Sequence, residues 1–432
     1  MTHPPFSEPL PVDAALPALR AALAGRSAAV LVAPPGAGKT TRVPLVLRDE
    51  AWCGGRIIVL EPRRLAARAA AARMADTLGE SVGETVGLRV RLETRVSRRT
   101  RIEVVTEGVF TRMILDDPAL EGVSAVLFDE FHERSLDADM GLALAIEAQE
   151  GLREDLRLLV MSATLDGARV AALLGDAPVI ESEGRAFPVE TRYLGRTPGR
   201  RIEDEVTDAV VAALGAEAGS LLVFLPGQGE IRRVAEMLAA RIRDPGVDIA
   251  PLYGTLERAE QDRAIAPSPP GRRKVVLATS IAETSLTIAG VRVVIDSGLA
   301  RVPRYEPDIG LTRLETVRVS RASADQRRGR AGRTEPGVCY RLWEEAGSGA
   351  LEPFARPEIL TADLAPLLLD CAAWGLSDPT RLRLIDPPPA AALAEARRLL
   401  VEIDALDSDG RLTPTGRHLH DLPLPPRLAR MV

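Results

Sequence analysis

A glycine-rich segment near the amino terminus has the residue types that bind phosphate. It reads Ala33-Pro-Pro-Gly-Ala-Gly-Lys-Thr-Thr41 and follows an apolar run that predicts a buried strand. Glycines let backbone N–H groups turn toward a phosphate, and the amino terminus of a following helix adds positive potential. In this pattern the lysine reaches the β- and γ-phosphates and the next hydroxyl binds Mg²⁺. We therefore expect ATP to contact Gly36, Ala37, Gly38, Lys39, Thr40 and Thr41, with Thr40 also binding the metal.

The scarcity of lysine strengthens this prediction. The chain has 55 lysines and arginines together, and only Lys39 and Lys274 are lysines. A lysine ammonium is a compact point charge, whereas a forked guanidinium fits a phosphate loop poorly. A lysine retained in so arginine-rich a chain indicates a role that arginine cannot fill. The alternative is a glycine-rich turn that precedes a lysine by chance.

Two adjacent carboxylates follow another predicted buried strand. The segment Ala125-Val-Leu-Phe-Asp-Glu-Phe-His-Glu-Arg134 places Asp129 and Glu130 at the carboxyl end of that strand. In a parallel sheet this end faces the same crevice as the phosphate-binding loop. We expect Asp129 to bind Mg²⁺ and Glu130 to orient and deprotonate an attacking water. A charged loop that leaves a buried strand is the alternative.

The elements that position these residues alternate along the chain. Apolar β-rich runs are separated by longer stretches of helical period, which predicts strands buried in parallel sheets. A Gly/Pro/Arg-rich stretch at residues 184–201 divides them, so we expect one α/β domain over residues 1–185 and a second over residues 186–352. The predicted strands are Ala28–Val32, Arg56–Glu61, Ile102–Thr106, Ala125–Asp129, Leu158–Ser162, Leu221–Leu225, Val275–Thr279 and Val291–Asp296.

The strand pattern stops after residue 351. Amphipathic helices are predicted over Glu358–Trp374 and Ala390–Leu406, so residues 353–432 should form a small, mostly helical module. Just before it, Ala300–Tyr305 and Leu311–Val319 flank a turn and predict a β-hairpin.

The composition excludes several classes of protein. Of the 432 residues 46% are hydrophobic and 27% charged, which is typical of a folded globular chain. No apolar run reaches the ~18 residues of a membrane span, and the first residues lack the regions of a secretory signal. Three scattered cysteines fit a reducing compartment, so we expect a cytoplasmic protein with no membrane partner. The net charge of −6 argues against an indiscriminate polyanion binder, but a local basic channel is compatible with it.

The segment Asp129-Glu-Phe-His132 resembles the DEAH box of superfamily 2 helicases, and its phenylalanine resembles the bacterial HrpB type. Each of the other motifs is weak alone, but together they follow the order of that family. They are Glu61-Pro-Arg-Arg64 (motif Ia), Thr106-Glu-Gly108 (Ib), Ser162-Ala-Thr164 (III), Phe224-Leu-Pro-Gly-Gln228 (IV), Ala278-Thr-Ser-Ile-Ala-Glu-Thr-Ser-Leu-Thr287 (V) and Gln326-Arg-Arg-Gly-Arg-Ala-Gly-Arg333 (VI).

The resemblance implies a fold and a set of roles. The fold would be two tandem RecA-like P-loop domains with parallel sheets, followed by a small winged-helix domain. Gln326 would place the attacking water, Arg330 and Arg333 would act as arginine fingers, and the nucleotide would also contact His132 and Arg73. Ile265 would face the base opposite Arg73. The residues implied to follow a nucleic-acid backbone are Arg63, Arg64, Thr106, Gly227, Thr279 and Ser280.

Some features depart from the family pattern. The sequence has no Q-motif for reading adenine, and Ala289 replaces an acid often found just after motif V. Family members also continue into ratchet and OB-like domains beyond the position of Val432. The sequence still predicts Mg²⁺-dependent ATP hydrolysis coupled to translocation on, or unwinding of, single-stranded RNA, with DNA also possible. The alternatives are an ATP-switched nucleic-acid clamp that does not unwind, and a P-loop kinase or transporter ATPase that acts on a small molecule.

Overall fold

A computed structural model of the chain describes Phe6 and residues 9–163, 167–184, 187–283, 288–307 and 309–432. These residues form two open α/β sheets, a separate β-hairpin and a helical module. No helix among them is both long enough and apolar enough to cross a membrane.

The first sheet has eight strands in the order β4-β3-β5-β2-β6-β7-β1-β8, and only β4 runs antiparallel to its neighbour. Helices cover both faces, so the central strands are almost entirely buried. The strands are β1 Ala28–Val32, β2 Arg56–Glu61, β3 Val86–Val90, β4 Glu93–Arg95, β5 Ile102–Thr106, β6 Val123–Phe128, β7 Arg157–Ser162 and β8 Val179–Glu181. The helices are α1 Leu16–Gly25, α2 Lys39–Leu47, α3 Arg64–Leu78, α4 Glu107–Asp116, α5 Leu136–Gly151 and α6 Gly167–Leu173.

The second sheet has six parallel strands in the order β11-β12-β10-β13-β16-β9, and a separate hairpin pairs β14 with β15. The strands are β9 Val189–Tyr193, β10 Ser220–Phe224, β11 Val247–Leu252, β12 Arg273–Ala278, β13 Val291–Asp296, β14 Leu299–Glu306, β15 Leu311–Arg318 and β16 Gly337–Arg341. The helices are α7 Ile202–Ala216, α8 Gln228–Arg241, α9 Arg258–Ile265, α10 Arg321–Gly329 and α11 Ala346–Gly349.

The structure confirms the predicted parallel α/β architecture and the hairpin. All eight predicted strands are present within a residue or two of their predicted bounds, whereas β3, β4, β8, β9, β11 and β16 were not predicted. Several of the missed strands lie at a sheet edge, where a strand is short or half-exposed and lacks a continuous apolar run.

The third module packs on the first domain. It contains α12 Ala365–Trp374, α13 Ala390–Glu402, α14 Pro414–Asp421 and α15 Pro426–Ala429. Buried residues such as Leu368 and Leu400 share one hydrophobic cluster with Phe110 and Leu144 of the first domain. The predicted helix over Glu358–Trp374 was wrong in its first half. A short 3-10 turn stands there, and α12 begins at residue 365, where an aspartate side chain accepts the Ala365 N–H.

Candidate active site

The phosphate-binding loop joins β1 to α2 in a conformation that glycine makes possible. Gly36 and Gly38 have φ values of +85° and +92°, in the left-handed region that side-chain-bearing residues rarely adopt. Gly38 directly precedes the first residue of α2, so the loop leads into the amino terminus of a helix, where the first N–H groups have no acceptor one turn earlier in the helix. A Cβ atom on Gly38 would lie 2.5 Å from Leu10 Cδ1 and 3.1 Å from Leu10 Cβ, so a side chain there would force Leu10 to move.

Lys39 and the two carboxylates form a buried cluster. The Lys39 ammonium donates to Glu130 Oε1 at 2.9 Å and lies 3.7 Å from Asp129 Oδ1. Burial alone would lower the pKa of Lys39, but the two carboxylates raise it to about 12. Burial alone would raise the pKa of Glu130, but Lys39 above all lowers it to about 2. Burial raises the pKa of Asp129. Lys39 and Glu130 are therefore both charged at neutral pH.

A hydroxyl and a carboxylate meet beside this cluster. The Thr40 hydroxyl donates a hydrogen bond to Asp129 Oδ2. Hydroxyl and carboxylate oxygens are ligands that Mg²⁺ accepts when waters and phosphate oxygens complete its shell. Among the residues described, no three His, Cys, Asp or Glu side chains cluster as a metal site of their own. The donor set therefore fits a metal that is shared with bound phosphate.

His132 joins the acidic segment to the second domain. Its Nδ1 atom accepts from the Ala163 backbone N–H at 3.3 Å and lies 3.5 Å from Glu130 Oε2. On the other side of the ring, Nε2 lies 2.7 Å from the Gln326 side-chain amide. Gln326 is on α10, so this contact crosses the cleft between the two sheets.

Arg330 and Arg333 reach the same cleft from the end of α10. The Arg330 side chain donates a hydrogen bond to the Glu283 backbone carbonyl. Burial above all, and also the positive charge of the nearby Arg333, lower the pKa of Arg330. Burial lowers the pKa of Arg333 to about 10, so its guanidinium stays charged at neutral pH. A Cβ atom on Gly36 would lie 3.6 Å from Arg333 Nε, which places this guanidinium against the phosphate-binding loop.

The site contains one important arginine that the sequence did not single out. Arg327 is fully buried between Glu283 and Asp296; Nε lies 2.6 Å from Glu283 Oε1 and Nη1 lies 2.8 Å from Asp296 Oδ1. Its Nη1 also donates to the Leu299 carbonyl at 3.1 Å. In a chain with so many arginines, only its position between Gln326 and Arg330 could have drawn attention to it.

The residues implied to follow nucleic acid lie at strand ends and helix starts of both sheets. In the first domain, β2 and β5 pair so that Glu61 is opposite Thr106, which brings motifs Ia and Ib together. Arg63 crosses the cleft, where it donates to the Ser280 carbonyl and lies 3.0 Å from Glu133. This arginine therefore has partners within the protein itself.

The remaining predicted residues are dispersed. Arg64 and Arg73 are exposed on α3, and Gly227 is buried at the start of α8. Ile265 is half-buried and packs against a hydrophobic cluster. The Thr279 side chain accepts the Ile281 N–H. Thr164 of motif III and residues 284–287 of motif V lie outside the described residues.

A phosphate-binding loop in one α/β domain, facing arginines from a second, defines a tandem RecA-like P-loop protein. Comparison with known families agrees with this class. Residues 14–173 match the DEAD/DEAH box helicases, residues 205–335 the helicase conserved C-terminal domain, and residues 396–424 the winged-helix helicase associated domain (HA2). The chain belongs to the DEAD/DEAH box helicase family.

Similar proteins are known from bacteria and yeast. The chain is 52% identical over 423 residues to the ATP-dependent RNA helicase HrpB of Escherichia coli, covering 98% of this chain and 52% of that protein. It is 37% identical over 411 residues to the pre-mRNA-splicing factor ATP-dependent RNA helicase prp22 of Schizosaccharomyces pombe. This match covers 93% of the present chain and 35% of prp22. A crystal structure of Escherichia coli DEAH/RHA helicase HrpB matches with a TM-score of 0.93 at 52% identity. This match covers 98% of the present chain and 54% of the chain in that structure. The chain thus spans about half the length of HrpB.

Proposed function

We propose that the chain hydrolyses ATP with Mg²⁺ and couples hydrolysis to movement along, or unwinding of, single-stranded RNA. The observation that carries this proposal is the cleft in which Lys39 and Glu130 of one domain face Arg330 and Arg333 of the other. The relatives described as ATP-dependent RNA helicases support it. We infer a cytoplasmic location from the composition alone.

In this proposal the first domain holds the triphosphate and activates water. The N–H groups of the loop from Gly36 to Thr41 bind phosphate oxygens, and Thr40 and Asp129 hold Mg²⁺, which neutralises phosphate charge when bound. An incoming phosphate competes with Glu130 for Lys39. Once Lys39 binds phosphate, the Glu130 carboxylate is available to accept a proton from water.

The second domain completes the reaction. Arg330 and Arg333 neutralise charge that develops on the γ-phosphate, and Gln326 with His132 holds the attacking water in place. Because these side chains come from another domain, hydrolysis requires the cleft to be closed. The nucleotide state then controls the spacing of the two domains.

We infer that both domains bind the backbone of one nucleic-acid strand. Hydroxyl and N–H groups at strand ends can hold phosphate and sugar without reading sequence. Arg64, Thr106, Gly227, Thr279 and Ser280 would serve in this way, and Arg63 would bind nucleic acid only after leaving Ser280 or Glu133. Arg73 would flank the adenine base. These contacts do not select RNA over DNA, so DNA remains a possible substrate.

Steady-state ATP hydrolysis with and without poly(U) tests the proposal, with Glu130→Gln as the inactive variant. We expect poly(U) to stimulate hydrolysis and Glu130→Gln to abolish it. Glu154→Gln removes an exposed glutamate of the same domain and should have no effect. Hydrolysis that ignores poly(U) would favour an ATPase acting on a small molecule. A strand-displacement assay then separates a helicase from an ATP-switched clamp, because a clamp hydrolyses ATP without displacing a strand.

A further inference from the structure

Arg134, two residues beyond His132, connects the acidic segment to the third module. Its Nε and Nη2 atoms donate to the two carboxylate oxygens of Asp139, in the first turn of α5, at 2.9 and 2.8 Å. The same Nη2 atom lies 2.8 Å from Asp386 Oδ2, in the loop that precedes α13 of the third module. One guanidinium therefore bridges the first domain and the module.

Two further hydrogen bonds, one of them between backbone groups, join the same two regions. The Arg134 carbonyl accepts the Glu358 N–H at 3.0 Å, and Glu358 Oε2 accepts the Leu136 N–H at 2.8 Å. Arg134 has a φ of +51°, and Glu130 at the other end of the same turn has a φ of +50°. Side-chain-bearing residues adopt this conformation only where surrounding contacts enforce it. For Arg134, those contacts come from both sides: Asp139 and the Phe131 carbonyl in the first domain, and Asp386 and Glu358 in the third module.

Asp386 is held in the charged form that this bridge needs. Its Oδ1 atom accepts from Arg169 Nη2 at 2.8 Å, so each carboxylate oxygen has an arginine partner. Burial works to raise the pKa of Asp386, but hydrogen bonds from Arg169 and Arg134 hold it below the usual range. The ion pair with Arg134 therefore persists at neutral pH.

We propose that Arg134 is a positioning residue through which docking of the third module fixes the acidic segment, so that nucleic-acid-stimulated ATP turnover depends on the Arg134–Asp386 contact. This inference rests on the proposed function. Glu130 and His132 lie within four residues of Arg134, in a turn left-handed at both ends. Releasing the Arg134 end lets the turn relax and misplaces the Glu130 carboxylate.

Asp386→Ala tests the link with little damage to the fold. Arg134 keeps both hydrogen bonds to Asp139 in this variant, so no buried charge loses its partner. We expect kcat with saturating poly(U) to fall by about tenfold or more, the effect of losing one hydrogen bond between charged groups. KM for ATP should stay within about twofold of wild type, because Asp386 lies outside the phosphate-binding loop. Turnover without poly(U) should fall by a similar factor to kcat with poly(U), because Glu130 accepts the proton from water in both conditions.

A matched control breaks another ion pair on the same interface. Arg383 lies 2.8 Å from Glu150, also between the module and the first domain, and both side chains are about half exposed. Arg383→Gln should leave kcat with poly(U) unchanged. If both variants lower kcat equally, or neither does, the specific role of Arg134 is wrong. Asp386→Asn keeps side-chain size and an acceptor oxygen, so its kcat should lie between those of wild type and Asp386→Ala.

Amide hydrogen exchange tests the positioning role without turnover. Exchange over residues 129–136 should be faster in Asp386→Ala than in wild type and unchanged in Arg383→Gln. Equal exchange in all three proteins would overturn the inference, even if ATP is hydrolysed as proposed. Faster exchange in a protein that shows no stimulation by poly(U) would instead support the positioning role and count against the proposed function.

Discussion

Glu107→Gln should make the protein more stable in alkaline solution. Glu107 begins α4 within motif Ib and is only 6% exposed. The Ser135 hydroxyl donates to its Oε2 atom at 2.6 Å. Burial raises the pKa of Glu107, and the hydrogen bond from Ser135 offsets only part of this increase. Three nearby carboxylates raise the pKa further, to about 8; they belong to Glu133, Asp137 and Glu358. The side chain is therefore largely protonated in the folded protein at neutral pH.

The sign and size of the effect follow from proton binding. The unfolded chain releases this proton near pH 4.5, whereas the folded protein keeps it until about pH 8. Between these values the folded state binds more protons, so stability falls as pH rises and levels off above the higher value. Over this range the free energy of unfolding falls by on the order of 5 kcal/mol, because each pH unit corresponds to about 1.4 kcal/mol. Glutamine is neutral throughout and avoids this loss.

The difference in stability between wild type and Glu107→Gln can be measured by urea unfolding at two pH values. About pH 5 and about pH 9 enclose most of the range over which Glu107 loses its proton in the unfolded and folded states. We expect similar midpoints at the lower pH and a clearly higher midpoint for Glu107→Gln at the higher pH. Glu121→Gln changes an exposed glutamate in the loop that follows the same helix and should behave as wild type at both pH values. If Glu107→Gln is no more stable than wild type at the higher pH, the carboxylate is already ionised in the folded protein and the reasoning fails.

Three further substitutions test the site. Gly38→Ala should lower the affinity for ATP in a nucleotide titration, and its positive φ should lower the free energy of unfolding in urea by ~1–2 kcal/mol. Gly175 has a similar φ but open space around it, so Gly175→Ala should lose stability only. If the two variants bind ATP equally well, the steric argument for Gly38 is refuted. Arg327→Met should lower the free energy of unfolding in urea by ~3–5 kcal/mol, because two buried carboxylates lose their cation. If Arg328→Met lowers it as much, the importance of the Arg327 ion pairs is contradicted. Arg333→Gln should reduce kcat by about 10³ with a smaller change in KM, and an unchanged kcat would remove it from the reaction.

The sequence predicted the core of each sheet better than its edges. The central strand Leu158–Ser162 is apolar on both faces, and such a run indicates a buried strand wherever it occurs. In contrast, β11 contains Asp248 and Pro251 and lies half-buried at an edge, so its pattern gave no strand signal. Contacts between distant motifs could not be predicted either. The position of Arg63 after a strand suggests a phosphate contact, but only the folded chain reveals Ser280 opposite it.

The two lysines of this arginine-rich chain lie in similar surroundings. Lys39 pairs with two carboxylates in a cluster that is almost closed to solvent. Lys274 is also buried, and its ammonium donates to the Arg263 and Ala266 carbonyls, both at 2.7 Å, at the carboxyl end of α9. An ammonium directs three donors from a single small atom, whereas a guanidinium spreads its donors in a plane. Each lysine therefore lies where several acceptors converge on one point, a geometry that suits an ammonium better than a guanidinium.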